Sequence, residues 1–256
     1  MSRTSHAEIA LYAGRPVRVS TEVTILCLVN YPGMPQPSPS PVKNLANVVA
    51  LRTRDADRSQ QQILRAAMAE FSEAGLGGAR IDRIAERAGI NKRLLYYYFG
   101  SKDELFLAVL EQTYADIREA ERDLHLEAVP PVEALRRLVV FTWEHYLAHP
   151  EFLTLLNSEN LHRARHLQQS KRIREMNSPL IQRLGDVLER GRRDGLFRGG
   201  VDPLQLYISI AGLAYFYLSN THTLSTIFGR DLMAPKALQQ RLSHITDVVM
   251  GYVLAN

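Results

Sequence analysis

An all-α fold is predicted for this chain of 256 residues from three observations. From Asp57 onward apolar residues recur at helical spacing, no stretch of convincing length alternates like a strand, and the helical text is punctuated by glycines and by Ser-Pro, Asp-Pro and His-Pro steps. The spacing predicts a poorly ordered N-terminal extension over 1–56 and a three-helix head over 57–102. A larger helical domain over 103–256 follows.

The extension contains Met34-Pro-Gln-Pro-Ser-Pro-Ser-Pro41, a composition that favours extended chain, and Met34 is an alternative start. The apolar stretch Val23–Val29 is too short to span a bilayer, and no run of 18 apolar residues occurs, so no membrane partner is expected. The single cysteine, Cys27, excludes an intrachain disulfide and fits a reducing cytoplasm.

In the head, Ile63, Leu64, Ala67 and Phe71 predict a first helix that stops at Ala74-Gly75. Ile81, Ile84, Ala85 and Ala88 predict a second, ended by Gly89. A third opens after Asn91, a residue suited to an N-cap, and Gly100 ends it. Helix, glycine turn, helix at this spacing is a helix-turn-helix pattern. Ser101-Lys-Asp-Glu104 is a capping box for a fourth helix reaching about Glu127, before Pro130-Pro131. Helices are then expected from Val132 to Leu147, from Glu151 to about Gln169, from Ser178-Pro179 to Arg193, from Asp202-Pro203 to Asn220, and from Pro235 to about Leu254.

Net charge is +4, which permits a nucleic acid partner without requiring one. The distribution is more telling. Between Leu76 and Lys102, six cations (Arg80, Arg83, Arg87, Lys92, Arg93, Lys102) face only Asp82 and Glu86. At roughly 100° per residue the third helix puts Leu95 and Phe99 on its buried side, with Arg93 and Tyr97 pointing away, Leu94 and Tyr96 on the flanks, and Lys92 and Tyr98 at the borders. Such a face suits the major groove: arginine can bond guanine O6 and N7, leucine or a tyrosine ring can touch a thymine methyl, and tyrosine hydroxyls can bond phosphates. Lys102, in the first turn of the fourth helix, offers a cation to the backbone.

The ordered text Ile63-Leu-Arg-Ala-Ala67, Phe71 to Gly75, Ile84-Ala-Glu-Arg-Ala-Gly-Ile90, Leu95-Tyr-Tyr-Tyr-Phe99 and Ser101-Lys-Asp-Glu-Leu105 resembles the TetR/AcrR family of transcriptional regulators. It is similar in particular to the pyrimidine-utilisation regulator branch, whose third helix also ends in a leucine and paired tyrosines before phenylalanine. Two departures stand out. The family often has threonine where this chain has Ala79-Arg80, so Arg80 can supply a phosphate contact in place of a cap, and many members have a small residue where Arg93 stands.

The resemblance implies a homodimeric regulator, without a cofactor, that binds a palindromic double-stranded DNA operator and is released by a small-molecule effector. It also implies dimerisation through the last two helices, whose apolar residues include Leu204, Ile208, Ala211, Ala214, Tyr215, Leu242, Ile245, Val249 and Val253. From spacing alone these are equally well intradomain core.

Polar or aromatic residues set in apolar helical text are the effector candidates: Trp143, Tyr146, Asn157, Glu159, Asn160, Tyr207, Tyr215 and His222. Glu159, His162 and His166 fall on one face if the helix continues, a geometry able to ligate metal in a helical enzyme, although Arg163 and Arg165 oppose a cation there. No metal is expected, and no nucleophile triad, phosphate loop or paired cysteine supports an enzyme. Sequence-independent architectural DNA binding is a third reading. The basic run Arg163, Arg165, Lys171, Arg172, Arg174, Arg190, Arg192 and Arg193 is expected to be solvated surface, with an anionic effector as the alternative.

Overall fold

The computed structural model describes the backbone from Val42 to Ala255 and the side chains from Ala56, apart from Asn177 and Ser178. The expected extension lies, up to residue 41, outside the described residues, as does Met34. Ten α-helices follow: α1 (Val42–Gly78), α2 (Ile81–Arg87), α3 (Lys92–Phe99), α4 (Lys102–Arg122), α5 (Pro131–Ala148), α6 (Pro150–Leu161), α7 (Lys171–Arg193), α8 (Pro203–Ser219), α9 (Thr221–Phe228) and α10 (Pro235–Val253). Among the described residues there is no strand, only an isolated bridge between Phe197 and Leu254.

The head helices end where the glycines predict. Gly75, at φ 64° and ψ 173°, breaks α1, and Gly100, at φ 71°, turns the chain between α3 and α4. Asn91 Oδ1 accepts from the Leu94 amide at 2.8 Å, and Ser101 Oγ from the Glu104 amide at 3.1 Å. α1 itself starts at Val42, well before the periodicity that begins near Asp57.

Three expectations for the C-terminal helices are corrected, and one further helix is present. α4 stops at Arg122 instead of about Glu127, because His125 adopts a left-handed conformation and a 3-10 turn over Leu126–Ala128 buries Leu126. α6 stops at Leu161, since Arg163 and Ala164 are both left-handed. α7 begins at Lys171, capped by Ser170 Oγ accepting from the Ile173 amide, so Pro179 lies inside the helix instead of opening it. One lost backbone bond at Pro179 is outweighed by a continuous face that buries Ile173, Leu180, Leu184, Val187 and Leu188. α9 has no counterpart in the sequence reading.

Two hydrophobic clusters organise the chain. The first joins α1–α4 through Ile63, Phe71, Ile84, Leu95 and Phe106, with Phe71 and Phe106 edge to face at 5.0 Å, and it takes in Leu155 of α6 and Ile173 of α7. The second joins α5, α7, α8 and α10 through Leu135, Leu138, Leu184, Ile210 and Val253. α4 runs between them, giving Leu105 and Phe106 to the first and Ile117 to the second.

Candidate functional site

In the head, a buried carboxylate substitutes for the missing cap of α2. Glu70 is fully buried, and its Oε1 accepts from the Arg80 amide at 3.1 Å, so negative charge sits at the α2 N-terminus. Arg83 lies 3.6 Å from Glu70, while Arg87 donates to Glu73 at 2.9 Å. Arg87 thus ties α2 to α1. Lys92 of α3 pairs with Asp82 of α2, and Lys102 Nζ donates to the Ala79 carbonyl at 2.9 Å, which fastens the start of α4 to the turn ahead of α2.

Four of the six head cations, Arg83, Arg87, Lys92 and Lys102, therefore have partners within the head. The Arg80 and Arg93 side chains are exposed and, among the described residues, make no hydrogen bond or ion pair. Leu95 is fully buried, Tyr97 is 80% exposed and Tyr96 46%, which is the facing predicted for α3. Leu94 and Tyr98 are half-buried, and the Tyr98 ring packs edge-on to Tyr97 at 5.3 Å. Lys102, expected at the DNA backbone, also has a partner inside the head.

The effector candidates occupy several local environments. Trp143 is buried against Tyr217, with ring centroids 5.7 Å apart. Tyr215 donates its hydroxyl to Asn157 Oδ1. Asn160 is exposed and donates to its own helix at Leu156, and His222 is exposed at the start of α9. Glu159 of α6, 1% exposed, anchors the turn that follows the helix: Oε1 accepts from the His166 and Leu167 amides at 2.9 and 3.0 Å, and Oε2 faces His166 Nδ1 at 2.6 Å. Arg165 Nε reaches His166 Nε2 at 3.3 Å, which assigns the ring proton to Nδ1. His162 Nδ1 faces the Ser158 carbonyl at 2.7 Å.

The expected Glu159/His162/His166 face is thereby corrected. The helix ends before either histidine, and among the described residues no three His, Cys, Asp or Glu side chains could hold a metal ion.

Tyr146 and Tyr207 do share an environment, with residues the sequence reading did not single out. Arg118, 6% exposed, donates from Nη2 to the Tyr207 hydroxyl at 2.8 Å, and its Nη1 lies 2.7 Å from Glu121 Oε2. Burial pushes Tyr114 up to about 12 and raises Tyr146 and Tyr207, so these hydroxyls stay protonated. Burial also pushes Glu121 up to about 7, against the pull of Arg118 and Arg183. The signal for this cluster is weak in sequence, because Arg-x-x-Glu on a helix is ordinary surface text.

The apolar stripes of α8 and α10 divide. Ala214, Ile245, Val249 and Val253 are buried in the second cluster. Leu204, Ile208 and Phe216 of α8 stay 47–57% exposed, with Val248 and Tyr252 of α10 beside them in exposure at 43% and 46%. At i, i+4 and i+12, the α8 residues lie along one face of that helix, and Gly212 completes the row.

Comparison with known proteins accounts for this architecture. Residues 63–109 match the bacterial regulatory proteins of the tetR family, and residues 131–249 match a tetracyclin repressor-like C-terminal domain. The HTH-type transcriptional repressor NicS of Pseudomonas putida is 42% identical over 200 residues, which cover 78% of this chain and 94% of that protein. The HTH-type transcriptional regulator RutR of Escherichia coli K12 is 36% identical over 110 residues, covering 43% of this chain and 51% of RutR. Among solved structures, the transcriptional regulator FadR of Bacillus subtilis, in complex with stearoyl-CoA, superposes with a TM-score of 0.56 over 75% of this chain and 98% of its own; at 15% identity it is similar in fold alone.

Proposed function

The chain belongs to the TetR family of transcriptional regulators, and from that premise we propose that it is a cytoplasmic homodimeric repressor released from a palindromic operator by a small-molecule effector. Residues 57–102 read DNA, and 103–256 bind the effector and dimerise. The observation that carries this reading is the exposed face of α3. Arg93, Tyr96 and Tyr97 are exposed, as is Arg80, while Arg83, Arg87, Lys92 and Lys102 are engaged within the head.

Arg93 and Tyr96 contact bases, and Arg80 and Tyr97 contact phosphates at the groove edge. Lys92 also reaches phosphate, since its exposed pair with Asp82 contributes little and yields readily to a better partner. Leu94 packs on a thymine methyl, and Tyr98 orients Tyr97. Lys102 acts chiefly as a brace. The exposed row on α8 with Val248 and Tyr252 is the dimer face, which sets the spacing of two heads on the half-sites.

Selection of bound genomic fragments, followed by titration of the recovered operator, tests the reading. Arg93→Ala is expected to lose about 1–3 kcal/mol and to relax preference at one position per half-site. Lys102→Ala is expected to lower the melting temperature of the protein and to leave the salt slope nearly unchanged. If selection recovers no shared palindrome, the architectural reading takes its place. If Arg93→Ala binds the operator as tightly as wild type, the assignment of the α3 face is wrong.

A further inference from the structure

We propose that the cavity between α4 and α7 is a binding site for a small organic anion, held by Arg118 and Arg183. The inference rests on the effector-controlled reading above and assigns the effector a chemical class and a place.

Its first support is a local excess of positive charge. Arg118 is buried, and Glu121, three residues on, is 2% exposed. Arg183 of α7 also acts on Glu121, and its Nε is buried without a hydrogen-bond partner, as is Arg118 Nε, while Glu121 Oε2 lies 2.7 Å from Arg118 Nη1. Two guanidiniums thus share one carboxyl. That carboxyl, pushed up to about 7, is only partly ionised at neutral pH, so the excess of positive charge is larger than the residue count suggests. Two buried or half-buried guanidiniums sharing one carboxyl are short of counter-charge, and an anionic ligand would offset that cost.

The second support is space beside those groups. A cavity of about 390 Å³ lies against Arg118 and Arg183, within the range of small-molecule sites. Ala115, Met176 and Pro179 provide an apolar wall. Arg122 and Arg172 add further cations to the lining, Arg172 lying 3.7 Å from Glu111 outside it, and Glu119 is the lining's one acidic residue. The mixture suits a molecule with an anionic head and a short apolar body.

The elements are also placed to carry a signal. α4 enters the head cluster through Leu105 and Phe106, and α7 through Ile173. An anion bridging Arg118 to Arg183 draws together two helices that both reach the head, and a difference in affinity between the two head spacings is what release requires.

The test uses the full-length protein without DNA, so its outcome is independent of whether an operator is found. Benzoate and its uncharged isostere benzamide are titrated by calorimetry, and crystals are soaked in sodium bromide. Benzoate is expected to bind and benzamide not to, with anomalous bromide density between Arg118 and Arg183. Arg183→Met is expected to weaken benzoate about tenfold or more, the loss typical of one charged hydrogen-bond partner, and Arg183→Lys to recover part of it. Circular dichroism confirms that each variant folds, which is expected because Arg183 is only half-buried. Absence of bromide between the two guanidiniums, or equal behaviour of benzoate and benzamide, overturns the proposal.

Discussion

Replacing Glu159 with alanine tests whether this carboxylate is a structural anchor or a ligand-binding group. The side chain is 1% exposed and accepts from two backbone amides at 2.9 and 3.0 Å and from the His166 ring at 2.6 Å. Alanine leaves three donors without an acceptor in a turn that holds two left-handed non-glycine residues, Arg163 and Ala164. At about 1–3 kcal/mol for each group left unsatisfied, and allowing for relaxation, the loss is about 3–6 kcal/mol. For a domain of this size that corresponds to a fall in melting temperature on the order of 10 °C or more.

Glu159→Gln keeps an acceptor for the two amides but presents N–H groups to His166, so it should lose about half as much. Thermal melts by circular dichroism at fixed protein concentration measure both. His166 packs edge-on to Phe106 at 5.1 Å, and Arg165 bonds Asp103 at 3.0 Å, so the damage should also loosen the start of α4 and lower operator affinity. A melting temperature for Glu159→Ala within about 2 °C of wild type, about 0.5–1 kcal/mol, would refute the anchoring role.

Three further outcomes are expected. A Cβ at Gly191 would lie 2.0 Å from the ring of Phe197, which is 3% exposed, so Gly191→Ala should destabilise the protein by about 1–3 kcal/mol through overpacking, read by urea titration. Ile208→Asp, at a site 53% exposed, should leave helicity intact yet convert the dimer to monomer by light scattering; an unchanged mass would remove α8 from the interface. Glu121 carries a folded-state pKa raised above 4.5 to about 7, so its folded form favours the proton. Its contribution is complete below about pH 4.5 and fades as pH rises through 7, and relative to Glu121→Gln the wild type should lose up to about 3 kcal/mol over that window. Parallel pH profiles for the two proteins would contradict this.

Much of the head was legible because its signals are local. A glycine at positive φ, an Asn or Ser cap and a 3.6-residue period act within a turn or two, so the ends of α2 and α3 and the outward facing of Arg93 and Tyr97 follow from neighbouring residues. The same locality misled at Ser178-Pro179, where a strong start signal sits inside a helix whose buried face outweighs it. It misled again at Glu159, His162 and His166, whose common face exists only if the helix continues past Leu161.

Taken alone, the amino-acid sequence determined the all-helical class, the helix-turn-helix and its exposed basic and aromatic face, since each depends on spacing along one segment. The tertiary structure decided which polar residues meet. Glu70 reaches the Arg80 amide, Lys102 the Ala79 carbonyl, and Arg118 the Tyr207 hydroxyl 89 positions away. It also decided which apolar residues of α8 and α10 are core and which remain exposed. Those pairings depend on how helices distant in sequence pack, and no local period encodes that packing.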